Sequence, residues 1–348
     1  MTQAVTLAGL GSTTPTIVSP TLTSPVLGTP TSGSLVNCTD VNYTGFKNRI
    51  INGGMVIDQR NAGAEVNPAV TATYYLDRWQ ATSSVASKYK IGQNAGAVTP
   101  PTGYTNYLGL TSLSAYTVGA SDILVVRQLI EGLNVSDLAW GTASATTVTV
   151  SFWVRSSLTG TFGGSLRNSD GTRSYPFTYA ISVSNTWEQK TVTIAGDTSG
   201  TWLTTNGIGI NLIFSIGTGS TFSGTAGAWA ATNYLSATGA TSVVGTSGAT
   251  LYITGVQLEK GSVATSFDQR AYSQELAMCQ RYYENMGNVK IWTSATNYGP
   301  AYFKTSKRAT PTLTGGGSGF TTEYLTSESF LGYQTSTATQ VLSASAEL

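Results

Sequence analysis

Apolar and polar residues alternate along most of this chain. The clearest case is TTVTVSFWVRSS (146–157). There Val148, Val150, Phe152 and Val154 fall on one side, and Thr147, Thr149, Ser151, Trp153 and Arg155 on the other. Such a period of two marks a pleated strand with one face in a core. TWEQKTVTIAG (186–196), GIGINLIFSIG (207–217) and ATLYITGVQLEKG (249–261) repeat the pattern, and ILVVRQLI (123–130) is densely apolar. FKNRIINGGMVIDQRNAG, TATYYLDRWQATSS, KYKIGQN and YTNYLGLTSLS also read as strand text, with a bend at Asn52-Gly53-Gly54. Asn168-Ser169-Asp170-Gly171 reads as a hairpin tip, and LNVSDLAWG (133–141) as a loop or short helical turn. Residues 218–248 are rich in Gly, Ser, Thr and Ala and read as a long loop around Trp229 and Tyr234. Short strands joined by Gly-rich turns predict an antiparallel sandwich over 46–269.

Two segments break the pattern. In RAYSQELAMCQRYYENM (270–286), Tyr272, Leu276, Cys279 and Tyr283 recur at helical spacing. A short connecting helix is expected there, with Ser273 capping its start and Gly287 its end. Residues 287–348 return to strand and turn text and read as a small separate β module. At the other end, prolines 15, 20, 25 and 30 phase a five-residue repeat, TPTIV, SPTLT, SPVLG, TPTSG. Proline at every fifth position forbids helix and central strand and favours extended backbone. Pro15, Ile17, Pro20, Leu22, Pro25, Leu27 and Pro30 thus define an arm over 1–45. It is either a flexible linker or a set of copies wrapping together over the Ile/Leu row. The predicted fold class is all-β: extended arm, antiparallel sandwich (a jelly roll by the resemblance given below), one short helix, small C-terminal β module.

Composition narrows the chemistry. Of 348 residues, 56 are Thr, 39 Ser and 39 Gly, while 10% are charged and none is His. Histidine-based triads and imidazole metal ligands are therefore excluded. A net charge of +1 without a basic run argues against nucleic acid. There is no apolar stretch near the length of a membrane-spanning helix, and the opening residues lack the features of a secretory signal. Cys38 and Cys279 have no metal or disulfide-framework spacing and read as unpaired thiols.

Glycoside hydrolysis needs two carboxylates facing one sugar. Asp58, Asp77, Glu188, Asp268 and Glu275 are available, but each sits beside Arg, Gln or Trp, where a structural partner is the ordinary outcome. Arg49, Arg60, Arg78 and Arg270 likewise read as ion-pair residues. No catalytic residue and no cofactor are expected. Jelly rolls can hold Ca²⁺, but no ligand is identifiable and no metal residue is assigned. Sugar binding is better served, because flat aromatic faces pack against sugar C–H faces. Trp187, Trp202 and Trp229 lie in or beside loops; Trp202 and Trp229, flanked by small residues, are the glycan-binding candidates. The competing reading places these rings in the core or a subunit interface.

Three strings resemble one family. They are NRIINGGMVIDQRNAG with YYLDRW, VTVSFWVRSSLTGTF, and ITGVQLEKGSVATSFDQRAYSQELAMCQRYY. Together they resemble bacteriophage tail-fibre and virion structural proteins that carry a jelly-roll domain similar to carbohydrate-binding modules. VQLE-x-G, ATSFDQR and CQRYY are the most specific part, and FKTSKRATPTLT (303–314) resembles text that follows CQRYY in the same group. The resemblance implies a homotrimer on the phage particle, assembled in the host cytoplasm and attached through its N-terminal arm to other virion proteins. It implies adhesion to a host-surface glycan, and leaves open a capsid fibre or decoration protein with an assembly role only. A polysaccharide depolymerase is the enzymatic rival. No membrane span is expected.

Overall fold

The computed structural model describes residues 46–290, 299–316, 320–334 and 339–348. The proline-phased arm, including Pro15, Ile17, Pro20, Leu22, Pro25, Leu27 and Pro30, and Cys38 lie outside the described residues.

Strands are numbered in chain order. One antiparallel sheet runs β1 (Ala72–Leu76), β2 (Trp79–Ser83), β5 (Ile123–Glu131), β10 (Ile208–Thr218), β7 (Gly160–Arg167), β8 (Ser174–Ile181). The other runs β3 (Tyr89–Gln93), β4 (Leu108–Ser112), β13 (Thr250–Lys260), β6 (Val148–Ser156), β9 (Glu188–Ile194). The chain crosses between sheets repeatedly, which makes the sandwich a jelly roll, as the alternation and the resemblance predict. Val148, Val150, Phe152 and Val154 of β6 all lie in the main core. They meet Leu124, Val126, Leu212 and Phe214 from the opposite sheet, and Phe152 lies edge-on to Phe214 at 4.9 Å. Burying each such side chain contributes about 1.5–3 kcal/mol. The 168–171 tip joins β7 to β8 as expected. A two-residue parallel pair, β11 (Ser223–Gly224) and β12 (Ser236–Ala237), organises the long loop.

FKNRIINGGMVIDQRNAG differs from expectation: it is irregular backbone, yet Ile50, Ile51, Met55 and Ile57 are buried. Positive φ at Asn52 (58°) and Met55 (59°) rules out a continuous strand. Side-chain amides replace the ladder, because a buried backbone group needs a partner. Asn48 accepts from Ile50 N (2.9 Å) and Leu258 N (3.1 Å). Gln128 bonds both N and O of Ile51, at 2.9 and 2.8 Å. Asn52 bonds both N and O of Ile57, at 3.0 and 2.8 Å.

The helix is also shorter than predicted. α1 spans Tyr272–Gln280, and β14 (Tyr283–Lys290) follows after a turn. Ser273 is not the cap, since Ala271 holds that position without a side-chain bond. Gly287 (φ 64°) sits at a register shift in β14 instead of ending a helix. Of the predicted face, Cys279 is fully buried with Tyr282, Ile51 and Ile57, and Leu276 packs beside them. Tyr272 is 63% exposed, and Tyr283 lies on a strand with the Arg60 guanidinium 3.7 Å from its ring centre. Pairing with the last strand, β19 (Thr339–Ser345), captures residues that helical periodicity had claimed.

The C-terminal part has two small antiparallel sheets. One orders β14, β19 and β16 (Thr312–Thr314); the other β15 (Gly299–Tyr302), β18 (Ser329–Gln334) and β17 (Phe320–Glu323). Phe303, Phe330, Leu342 and Ala344 form its core. It lies with the sandwich in the unit Gly45–Leu348. Glu347 pairs with both Arg60 and Arg78, and Ala346 N donates to Tyr282 O at 2.7 Å. No helix among the described residues is long and apolar enough to cross a membrane.

Candidate functional site

Trp202 and Trp229 do come together, but not as a free platform. With Trp140 they form an edge-to-face triad, with ring centres 4.7–5.4 Å apart, and Tyr175 packs on Trp229 at 5.2 Å. All three indole N–H groups donate to backbone carbonyls: Trp140 to Thr146, Trp202 to Ser199, Trp229 to Ala195. Trp202 is only 9% exposed, which corrects the expectation that its small neighbours leave it open; Trp229 is half-buried. The adjoining cavity, lined by Val135, Trp140, Trp202 and Leu203, encloses about 10 Å³, room for one water and not for a sugar ring.

The outer face of the five-stranded sheet is built differently. Because Phe152 and Val154 point inward, Trp153 and Arg155 of β6 point outward. Trp153 faces Gln189 of β9 across one ladder and Thr254 of β13 across the other. Trp153 is half-buried, whereas Gln189, Thr191 and Thr193 along β9 are exposed. Two loops frame the face. Tyr104 lies beside the Trp153 indole and packs edge-on to Phe267 at 5.4 Å. Tyr107, Trp187 and Tyr252 cluster at 5.3–6.4 Å, and Arg155 lies 5.7 Å from the Tyr252 ring. A bulge at Gly255 (φ 60°) admits the Tyr104 ring, since a Cβ there would lie 2.6 Å from it. The sequence placed Trp153 on this face but gave no sign that Tyr104 and Phe267 would meet there. They approach through loops whose paths alternation does not encode.

The carboxylates considered for catalysis have structural partners. Asp58 accepts from the backbone of Arg60, Asn61 and Gly63. Asp77 accepts from Gln59 N and Nε2, both at 2.7 Å, and burial raises its pKa to about 6. Glu188 pairs with Lys190 at 2.6 Å, which holds its carboxyl below the usual range. Arg270 lies between Asp268 and Glu275. Arg49 pairs with Asp137, and Arg60 and Arg78 with Glu347, as the sequence predicts for these arginines. Among the described residues no group of three His, Cys, Asp or Glu could hold a metal. Cys279 is unpaired and buried, and burial pushes its thiol pKa up, so the thiolate is suppressed.

No family model and no curated protein matches this chain. Among solved structures, 38 chains match. The enzymatically active domain of bacteriophage CBA120 tailspike protein 4 is 14% identical, with a TM-score of 0.32, over 63% of this chain and 22% of that one. This chain thus spans less than a quarter of the tailspike's length. The family 11 carbohydrate-binding module of a Clostridium thermocellum cellulosomal cellulase is 12% identical, with a TM-score of 0.26, over 57% of this chain and 96% of the module. The N-terminal cellulose-binding domain of Cellulomonas fimi β-1,4-glucanase C is 15% identical, with a TM-score of 0.26, over 46% and 82%.

Proposed function

We propose that this chain is a structural subunit of a bacteriophage particle, a fibre or spike that adheres to a host-surface glycan through its jelly roll. The virion part rests on the VQLE-x-G, ATSFDQR and CQRYY text and on the proline-phased arm. The observation that carries adhesion is the Trp153 face. It offers half-buried Trp153 and Tyr104 rings beside the exposed Gln189 amide and two exposed threonines. Rings accept the C–H face of a sugar, while amide and hydroxyl groups bond its hydroxyls. The carboxylates proposed for hydrolysis are held by structural partners, which favours binding over catalysis. Three copies joined through the arm would present three weak sites at fixed spacing and gain avidity.

The test is a polysaccharide array probed with the full chain. Trp153→Ala is expected to weaken binding about tenfold or more, while Trp202→Ala lowers stability without changing specificity. Loss of binding in neither variant would overturn the site. Reducing sugar released from a bound glycan would overturn the non-catalytic reading in favour of a depolymerase. Antibody labelling of intact particles separates a tail fibre from a capsid fibre or decoration protein.

A further inference from the structure

The outer face of the six-stranded sheet carries an unusual pair of charges. Val126 and Leu166 point into the core, so Arg127 of β5 and Arg167 of β7 point outward. They flank β10 from opposite sides: Arg127 is paired with Ile213, and Arg167 with Asn211. Arg49, Arg60, Arg78, Arg173, Arg270 and Arg281 each meet a carboxylate. Among the described residues, no carboxylate forms an ion pair with Arg127 or Arg167. Their bonds are to neutral amides: Arg127 Nε donates to Gln80 Oε1 and Arg167 Nη1 to Asn233 Oδ1, both at 2.6 Å. Both are half-buried. Arg167 is pushed down to about 10, first by burial and then by the charge of Arg127, with the charge of Asp170 opposing both.

Two polar atoms here have no partner at all, Arg167 Nε and Asn211 Oδ1. Asn211 is 1% exposed and sits between Leu129 and Arg167 on the same outward face. Tyr74 of β1 is paired with Gln80 at the end of the row. Beyond the patch the face is closed by Leu235 and Phe222 packed on Val125 and Ile213. A buried acceptor without a partner, beside two half-buried guanidiniums bonded only to neutral amides, is costly unless something occupies the site.

We propose that Arg127, Arg167 and Asn211 form a second saccharide site, selective for an acidic sugar. This rests on the reading of the chain as a glycan binder. Two guanidiniums match a carboxylate held between them. A fully deprotonated anion such as sulfate would answer the arginines but could not donate to Asn211 Oδ1, which needs an N–H or O–H donor. A sugar acid supplies both groups. Nucleic acid is disfavoured, because a net charge of +1 leaves no wider positive field.

The experiment titrates the full chain with an α-1,4-galacturonic acid tetramer against its neutral galactose counterpart, and with a sialylated oligosaccharide against its asialo form. At least one acid is expected to bind about tenfold tighter than its neutral partner. That preference is expected to disappear in Arg127→Gln and Arg167→Gln and to persist in Trp153→Ala. The thermal midpoint should not fall in the arginine variants, since each removes a like-charge neighbour. If a Gln variant fails to fold, Arg167→Lys, which keeps the charge but not the planar fork, should show an intermediate preference. Equal affinity for acid and neutral forms overturns the proposal while leaving glycan binding intact; no binding of any glycan removes both. A change from trimer to monomer in the arginine variants, with the preference unchanged, would make the patch a subunit contact and also overturn the proposal.

Discussion

At the scale of single residues, Gly255 and Asp77 show how position decides cost. Gly255→Ala combines φ 60° with a Cβ 2.6 Å from the Tyr104 ring. It should destabilise the chain by about 1–3 kcal/mol in urea unfolding. It should also weaken glycan binding, because Tyr104 loses its seat beside Trp153. Asp77 is a raised-pKa carboxyl, at about 6 in the fold, from burial. The folded state therefore holds this proton more tightly than the unfolded one, near 3.9. Its contribution is fully present below about pH 4 and is lost as pH rises through about 6, a swing of about 2–3 kcal/mol. Stability of wild type minus Asp77→Asn, measured from pH 3 to 8, should fall across that window and be flat above it. The residue types were legible in sequence, but the shift was not. Asp77 next to Arg78 reads as an ion pair; in the fold Arg78 turns to Glu347 and Asp77 to Gln59.

At the scale of elements, the junction after α1 departs most from periodicity. Its stability centres on Lys307, 3% exposed, whose Nζ donates to Glu284 and to the Gln280 carbonyl, both at 2.6 Å. Burial pushes the lysine pKa down, and Glu284 opposes this. Lys307→Met leaves Glu284 buried without its charge partner and should cost about 3–5 kcal/mol by denaturant titration. Adding Glu284→Gln should recover part of the loss, since an amide oxygen still accepts from Lys304 N. The strands were legible because alternation is local, as in β6, where each expected core residue is buried. The helix end was not. Tyr283 satisfied a helical stripe, yet its backbone finds Ser345 in a ladder, and sequence does not announce a partner so far away.

At the scale of the whole molecule, the proposed assembly is a trimer joined through the proline-phased arm. Light scattering should give about three times the 36.3 kDa chain mass. Replacing Ile17, Leu22 and Leu27 together by Asp should yield monomers with an unchanged β circular-dichroism spectrum, because the strands of the sandwich lie between Ala72 and Lys260. A native monomer for the wild-type chain would remove the trimer. Monomers that keep the Trp153 site should lose apparent affinity on a dense glycan surface far more than in solution, since avidity and not contact is what the arm supplies.

The sequence by itself determined the all-β class, the rows that form the core, the hairpin tip at 168–171 and the structural role of Arg49, Arg60, Arg78 and Arg270. These follow from period-two burial and from the cost of leaving charges unpaired, both readable within a few residues. Only the tertiary structure decided that Trp202 is covered while Trp153 is left half-buried. Only it decided that residues 48–57 replace a ladder with amides, and that Arg127 and Arg167 bond to neutral amides where Arg49, Arg60, Arg78 and Arg270 meet carboxylates. Alternation states which way a side chain points. What covers that face depends on loops and on the C-terminal strand, which arrive from far along the chain.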